Sequence, residues 1–222
     1  MKTIYFVRHG ESEENVGFHT GEGVFQGETS PLTERGREQA RFIAERCAHL
    51  QFDALVASPA VRTQDTAGYI SELTGKSIET APMFTERILP EEFIGRKKDD
   101  PEIQERYNEW EASFFDENLR VGSGENFVDL KTRVAGALKY LTEHKADRIV
   151  VVTHGYFLRM LVAYIVFGDA LTTEEFKKII QTFRTANTGL TLAEYDSGQR
   201  GAVGLPAPQW LVRVWNDHAH LG

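Results

Sequence analysis

The sequence predicts an α/β fold: a three-layer sandwich with a mostly parallel central sheet, read as one domain over residues 1–222 with a helical insertion at about 88–125. Three observations predict it. Along the first half of the chain, short β-rich runs alternate with segments of helical periodicity, the order that winds strands into a parallel sheet with helices on its faces. Residues Ile149 to Thr153 are β-branched without a break, the composition of a strand covered on both sides. Between about 88 and 125 the alternation gives way to a charged, aromatic-rich stretch broken by Pro90, Pro101, Gly122 and Gly124.

The elements follow in order. TIYFV (3–7) reads as a buried strand. PLTERGREQARFIAERCAHL (31–50) reads as a helix with Thr33 as N-cap. FDALVAS (52–58) is a second strand, and VRTQDTAGYISEL (61–73) a second helix opening just past Pro59. SIETAP (77–82) is a third, weaker strand. The insertion holds one helix, 102–115, with Ile103, Tyr107, Trp110 and Phe114 on one face. About 35 residues cannot build a core alone, so the insertion is expected to pack over the sheet's edge. Phe127, Leu130, Val134, Leu138 and Leu141 make the stripe of another helix. RIVVVTHG (148–155) is the strongest strand, and TGLTLAEYD and WLVRVWND read as closing strands.

Composition excludes several functions. A net charge of −8 argues against general binding to nucleic acid or membrane surfaces, which are themselves anionic. An anionic small molecule would need a local basic pocket in an acidic surface. Cys47 is the single cysteine, so an internal disulfide and a four-cysteine zinc site are ruled out. It shares an apolar stripe with Ala40, Ile43 and Ala44 and reads as core filler. His218 and His220 are the best metal-ligand candidates, but they sit in a terminal NDHAHLG that reads as a tail, so neither metal nor cofactor is expected. The apolar run at the N-terminus is too short for a signal peptide, and no stretch reaches the ~20 residues of a membrane span, so a cytoplasmic location is expected.

The chemistry gathers at strand ends. The first strand ends VRHG (7–10), the strongest ends THG (153–155), and Arg62 opens the helix after the second. Ligands of open α/β sheets bind beyond the carboxyl ends of the strands. Arg8, His9, Arg62 and His154 are therefore expected to meet there as an anion pocket. Gly10 and Gly155 would let the backbone approach the ligand. Leaving such cations buried without a ligand or partners is costly.

RHGES with Asn15, FQG (25–27), PLTERG (31–36), SPAVRTQDTA (58–67), ER (86–87), GENFVDLKTRV (124–134) and VVTHG (151–155) run in order along nearly the whole chain. This set resembles the histidine phosphatase superfamily, in its phosphoglycerate mutase-like branch. The resemblance implies a phosphohistidine mechanism with His9 as nucleophile. His154, Arg8 and Arg62 would stabilise the transferring group, with Asn15 and Gly155 also at the phosphate, and Glu86 would be the proton donor. Residue chemistry supports this, because His9 must be neutral to attack and adjacent guanidinium groups disfavour the imidazolium. Glu11 and Glu13 read as structural or solvated. Phe25, Gln26 and Gly27, with Phe18 and His19, are candidates for the pocket mouth from loop position. GRKK (95–98) reads as a solvated face or as a contact for a second anionic group.

Two departures weigh on the reaction. Mutases of this branch carry a histidine, tyrosine and glycine run after ER, where this chain has ERILPEEFIG, and the loop VGFHTGEGV (16–24) is long. GENFVDLKTRV looks more like the phosphatase members. The expectation is a metal-independent phosphatase acting on a small phosphomonoester, with water as acceptor. The alternatives are a phosphoglycerate mutase-type phosphotransferase and a non-catalytic phospho-ligand binding protein. The expected partner is a small phosphate ester, not nucleic acid or membrane. Oligomeric state stays open, with a dimer among its alternatives.

Overall fold

The computed structural model describes residues 1–116, 119–196, 198 and 209–222. Strand β1 (Lys2–Arg8) leads into helix α1 (Glu13–Thr20), then α2 (Glu34–Ala48), β2 (Ala54–Ala57), α3 (Val61–Thr74) and β3 (Ile78–Thr80). Helix α4 (Pro101–Ser113) lies in the segment 88–125 and is followed by α5 (Phe127–Glu143), β4 (Arg148–Thr153), α6 (Gly155–Phe167) and α7 (Thr173–Thr182). The chain closes with β5 (Leu190–Tyr195) and β6 (Trp210–Asp217).

The sheet order is β3-β2-β4-β1-β5-β6. The first four strands are parallel, and β5 and β6 add antiparallel at one side. Strand periodicity divides the core between the two faces. Ile4, Phe6, Val56, Ile149, Val151 and Ala193 pack with α5, α6 and α7. Val7, Leu55, Ala57, Val150, Val152 and Leu190 pack with α2 and α3. These are the three layers the sequence predicts. The β-branched run of β4 is fully buried, because it is central and covered on both faces. Cys47 is buried in the α2 layer. Among the described residues, no helix is long and apolar enough to cross a membrane.

Helices α1 and α6 escape periodicity. Helix α1 falls where the sequence suggests a loop. It buries only Glu14 and Gly17, so it has no apolar stripe, and it is held instead by a capping box between Ser12 and Asn15. Helix α6 is apolar nearly all round and lies within the core, so its pattern does not separate helix from strand. Helix α7 carries two signatures, the apolar stripe of Phe176, Ile179, Ile180 and Phe183 and the capping box of Thr172 and Glu175.

The segment 88–125 lies in front of the strand ends instead of along an outer strand. Phe93, Ile103 and Trp110 form an apolar cluster with Phe25 from the loop after α1. Bridges from Val24 to Lys97 and from Phe25 to Ile94 fasten that loop to the segment. Phe114 reaches past this cluster into the α5–α7 core.

Candidate active site

Strand register brings the two histidines together. Strands β1 and β4 are parallel neighbours with Arg8 opposite Thr153, so the next residues, His9 and His154, leave the sheet side by side. Their rings meet edge to face with centroids 5.1 Å apart. Strand β2 flanks β4 on its other side, and the turn after it supplies Ser58 and then Arg62 in the first turn of α3.

Arg62 bridges the two rings. Its Nε donates to His9 Nε2 at 3.2 Å, one terminal nitrogen donates to His154 Nδ1 at 3.2 Å, and the other donates to the Gly27 carbonyl at 2.6 Å. Partner chemistry fixes both tautomers. His9 Nδ1 lies 2.7 Å from the Gly10 carbonyl, which only accepts, so the ring proton sits on Nδ1 and Nε2 keeps its lone pair. His154 is the reverse: Nδ1 accepts from Arg62 and Nε2–H donates to Ser58 Oγ at 2.8 Å. Burial, then the charges of Arg62 and Arg8, hold His9 well below the ordinary histidine range. His154 is lowered in the same direction, by burial first and then by Arg62.

Arg8 backs this pair. It donates to the Thr185 carbonyl at 2.5 Å, and its Nε is buried without a partner. Burial pushes its guanidinium down to about 10, which leaves it charged at neutral pH. Packing also requires both turn glycines. A Cβ on Gly155 would come 2.7 Å from Thr185 Oγ1 and 3.2 Å from Arg8 Nε, and one on Gly10 would come 2.4 Å from the Gly36 carbonyl oxygen.

Glu86 sits at the N-terminus of α6. Its carboxylate accepts from the backbone N–H groups of Tyr156 at 3.0 Å and Phe157 at 2.9 Å, where the helix dipole favours negative charge. Asn15 Oδ1 is taken by Ser12 N–H and by Asn187 Nδ2, and its own amide hydrogens have no hydrogen-bond acceptor among the described residues.

His9, Asn15, Arg62 and Glu86 line one cavity of about 640 Å³, with Gln26 and Gly27 in its wall. Phe25 lies behind that wall. It is 3% exposed and lines a smaller cavity of about 200 Å³ with Phe18 and Lys98. His19 is exposed near the end of α1. The basic run 95–98 is not open to a ligand as a unit. Lys98 is buried against Glu14 at 3.3 Å, and Arg96 pairs with Asp100 at 3.2 Å. Among the described residues, no group of three or more His, Cys, Asp or Glu side chains is disposed to hold a metal ion. His220 instead contacts Arg46 and Thr188, and His218 contacts the Asn216 carbonyl.

Several supporting residues carry weak sequence signals. Asn187 donates to the His9 carbonyl and to Asn15 at 3.1 Å each, in a loop with no periodicity of its own. Thr188 adopts φ 56° and binds the Arg8 and His9 carbonyls through its N–H. Arg133 donates to the carbonyls of Met83, Thr85 and Glu86 and pairs with Glu125 at 2.6 Å, which fixes the loop bearing Glu86. Both residues belong to GENFVDLKTRV, so the motif was the signal.

Comparison with known proteins places this geometry. The family model described as the histidine phosphatase superfamily (branch 1) matches residues 4–206. A protein of Enterobacter sp. (strain 638) named probable phosphoglycerate mutase GpmB is 30% identical over 225 residues, covering 100% of this chain and 95% of that protein. Bacillus stearothermophilus YhfR superposes with a TM-score of 0.78 at 23% identity, covering 100% of both chains. The alpha-ribazole phosphatase from Shigella flexneri gives a TM-score of 0.75 at 23% identity, over 97% of this chain and 96% of that one. A phosphoserine phosphatase from Entamoeba histolytica, in complex with 3-phosphoglyceric acid, gives 0.72 at 21% identity over 100% of both chains.

Proposed function

The chain belongs to branch 1 of the histidine phosphatase superfamily, the phosphoglycerate mutase-like enzymes, and on that premise we propose that it hydrolyses small phosphomonoesters through a phosphohistidine on His9, without a metal. The observation that carries the proposal is the tautomer of His9, with Nδ1–H on the Gly10 carbonyl and the Nε2 lone pair facing a guanidinium donor. A phosphoryl group entering here takes over the Arg62 contacts.

In the first step His9 Nε2 attacks phosphorus, a P–N bond forms, the ester P–O bond breaks, and protonated Glu86 gives its proton to the leaving alkoxide. In the second step the Glu86 carboxylate takes a proton from water, the oxygen attacks phosphorus, the P–N bond breaks, and inorganic phosphate departs. Arg62, Arg8 and His154 stabilise charge on the equatorial oxygens, and the unspent Asn15 amide adds a hydrogen bond. Segment 88–125 acts as the cap of a single domain, closing the outer half of the cavity.

Hydrolysis is favoured over mutase chemistry because a bisphosphate-primed mutase must grip a second anionic group. The basic run 95–98 has Lys98 and Arg96 committed to Glu14 and Asp100. The mutase reading draws on the name of the 30% relative, and incubation with 3-phosphoglycerate separates the two by release of phosphate or of 2-phosphoglycerate. The main test is rapid quenching during turnover at alkaline pH, followed by mass spectrometry of the peptide holding His9. A phosphoramidate on His9, loss of turnover in His9→Ala and turnover unchanged by a chelator are expected. Product formation with residue 9 unmodified would refute the mechanism.

A further inference from the structure

We propose that the alcohol half of the substrate is bulky, apolar and free of negative charge. The inference rests on the phosphatase reading and concerns the outer part of the same cavity. Cations crowd its inner end. Arg62 is spent on His9, His154 and Gly27. Arg159 donates through Nε to the Gly155 carbonyl at 3.2 Å, one helical turn from His154, and its guanidinium lies 5.1 Å from the Tyr156 ring centroid, so it stands on the phosphoryl side of the cavity. The third cavity arginine, Arg87, is 6% exposed and fully committed. It pairs with Glu111 at 2.9 Å, donates to the carbonyls of Trp110 and Glu125, and stacks 3.5 Å from the Trp110 ring centroid.

The outer wall has the opposite character. Phe18, Ile88 and Ile94 line the cavity yet are 45%, 43% and 46% exposed. Leu89, Tyr107 and Tyr156 continue the apolar surface inward. Such side chains at the rim leave apolar area that a ligand covers favourably. The carboxylates in the wall sharpen the choice. Glu91 is exposed and forms no ion pair among the described residues, and Glu28, also exposed and outside any ion pair, accepts from Thr85 Oγ1 at 3.2 Å and lies within the field of Arg62. A carboxylate or second phosphate on the alcohol would meet these charges and an apolar rim, with no Arg or Lys of the described residues lining the cavity other than Arg62, Arg87 and Arg159. A neutral aryl or branched alkyl group is accommodated, and the cavity of about 640 Å³ has room for it beside the phosphoryl group.

The test uses esters of primary alcohols, so that leaving-group chemistry is held nearly constant: ethyl phosphate, 2-phenylethyl phosphate and 3-phosphoglycerate. Phosphate release by the full chain gives kcat/KM, and calorimetric titration of the His9→Ala protein gives binding without turnover. The expected kcat/KM for 2-phenylethyl phosphate exceeds that for each of the other two by at least about tenfold, the scale on which apolar pockets discriminate. Ile94→Lys should narrow the preference over 3-phosphoglycerate several-fold, chiefly through KM. Equal or better use of 3-phosphoglycerate, or no gain from ethyl to 2-phenylethyl, overturns the inference. If no ester releases phosphate, tighter binding of 2-phenylethyl phosphate still supports it while hydrolysis fails, and equal binding overturns both.

Discussion

Two neutral histidines under one guanidinium make the fold sensitive to acid, with a sign and size that can be worked out. His9 and His154 are held well below the ordinary value of 6.5 in the folded protein, by burial first and by Arg62 next. The unfolded chain binds protons at these rings as pH falls past 6.5, and the folded chain does not. Stability from this source is therefore present above about pH 6.5 and lost on acidification. Taking both rings as neutral in the fold down to pH 5.5, each costs about 1.4 kcal/mol between pH 7.5 and 5.5, and the pair about 2.8 kcal/mol. The assay is urea denaturation at both pH values, in phosphate-free buffer because a bound anion would stabilise the folded state by mass action. The comparison is with a His9→Gln, His154→Gln protein. Contributions from His220, held at about 4, and from Asp217, held at about 2, occur in both proteins and cancel. The loss on acidification should be smaller in the variant by about 2.8 kcal/mol. An equal loss in the two proteins would refute the neutral-pair account, and with it the availability of the His9 lone pair at acid pH.

Two further outcomes follow from the loop carrying Glu86. Glu86→Gln should lower kcat for alkyl phosphates by roughly 10²–10⁴, the scale of general acid–base catalysis, and by less for p-nitrophenyl phosphate, whose leaving group needs little protonation; steady-state kinetics on both esters checks it. Arg133→Met leaves the Glu125 carboxylate, 10% exposed, without its partner. It should cost about 3–5 kcal/mol in urea denaturation and lower kcat more than it raises KM, because the loop of Thr85 and Glu86 loses its anchor.

The chemical end of the site was legible in the sequence because strand register builds it. VRHG and THG follow two parallel neighbours, β1 and β4, so their histidines must emerge together, and Arg62 opens the helix after the next strand over. The β-branched run of β4 likewise announced a central strand. What stayed hidden depends on contacts far apart in sequence. Lys98 lies in a basic run, yet its charge is cancelled by Glu14 on a helix with no apolar stripe. The pocket role expected of Phe25 gave way to the apolar cluster with Phe93 and Trp110. The missing Cβ atoms of Gly10 and Gly155 also admit Gly36 and Arg8, a packing need that no local pattern displays.

The same division explains how a chain of net charge −8 would receive the phosphate dianion of the proposed substrate. A bulk count of charge weighs every residue alike, but a buried guanidinium acts through a low local dielectric and a solvated carboxylate through water. Arg8 and Arg62 are both buried beside His9, and their field is felt there strongly enough to help keep it neutral. Glu28, exposed and next to Gly27, opposes part of that field at Arg62, whereas exposed Glu91 bears on groups that lie against the outer part of the cavity. On the proposed reading, one cavity attracts an anion at its floor and rejects a second at its mouth. Selectivity of that kind needs no basic surface and only modest binding at the rim.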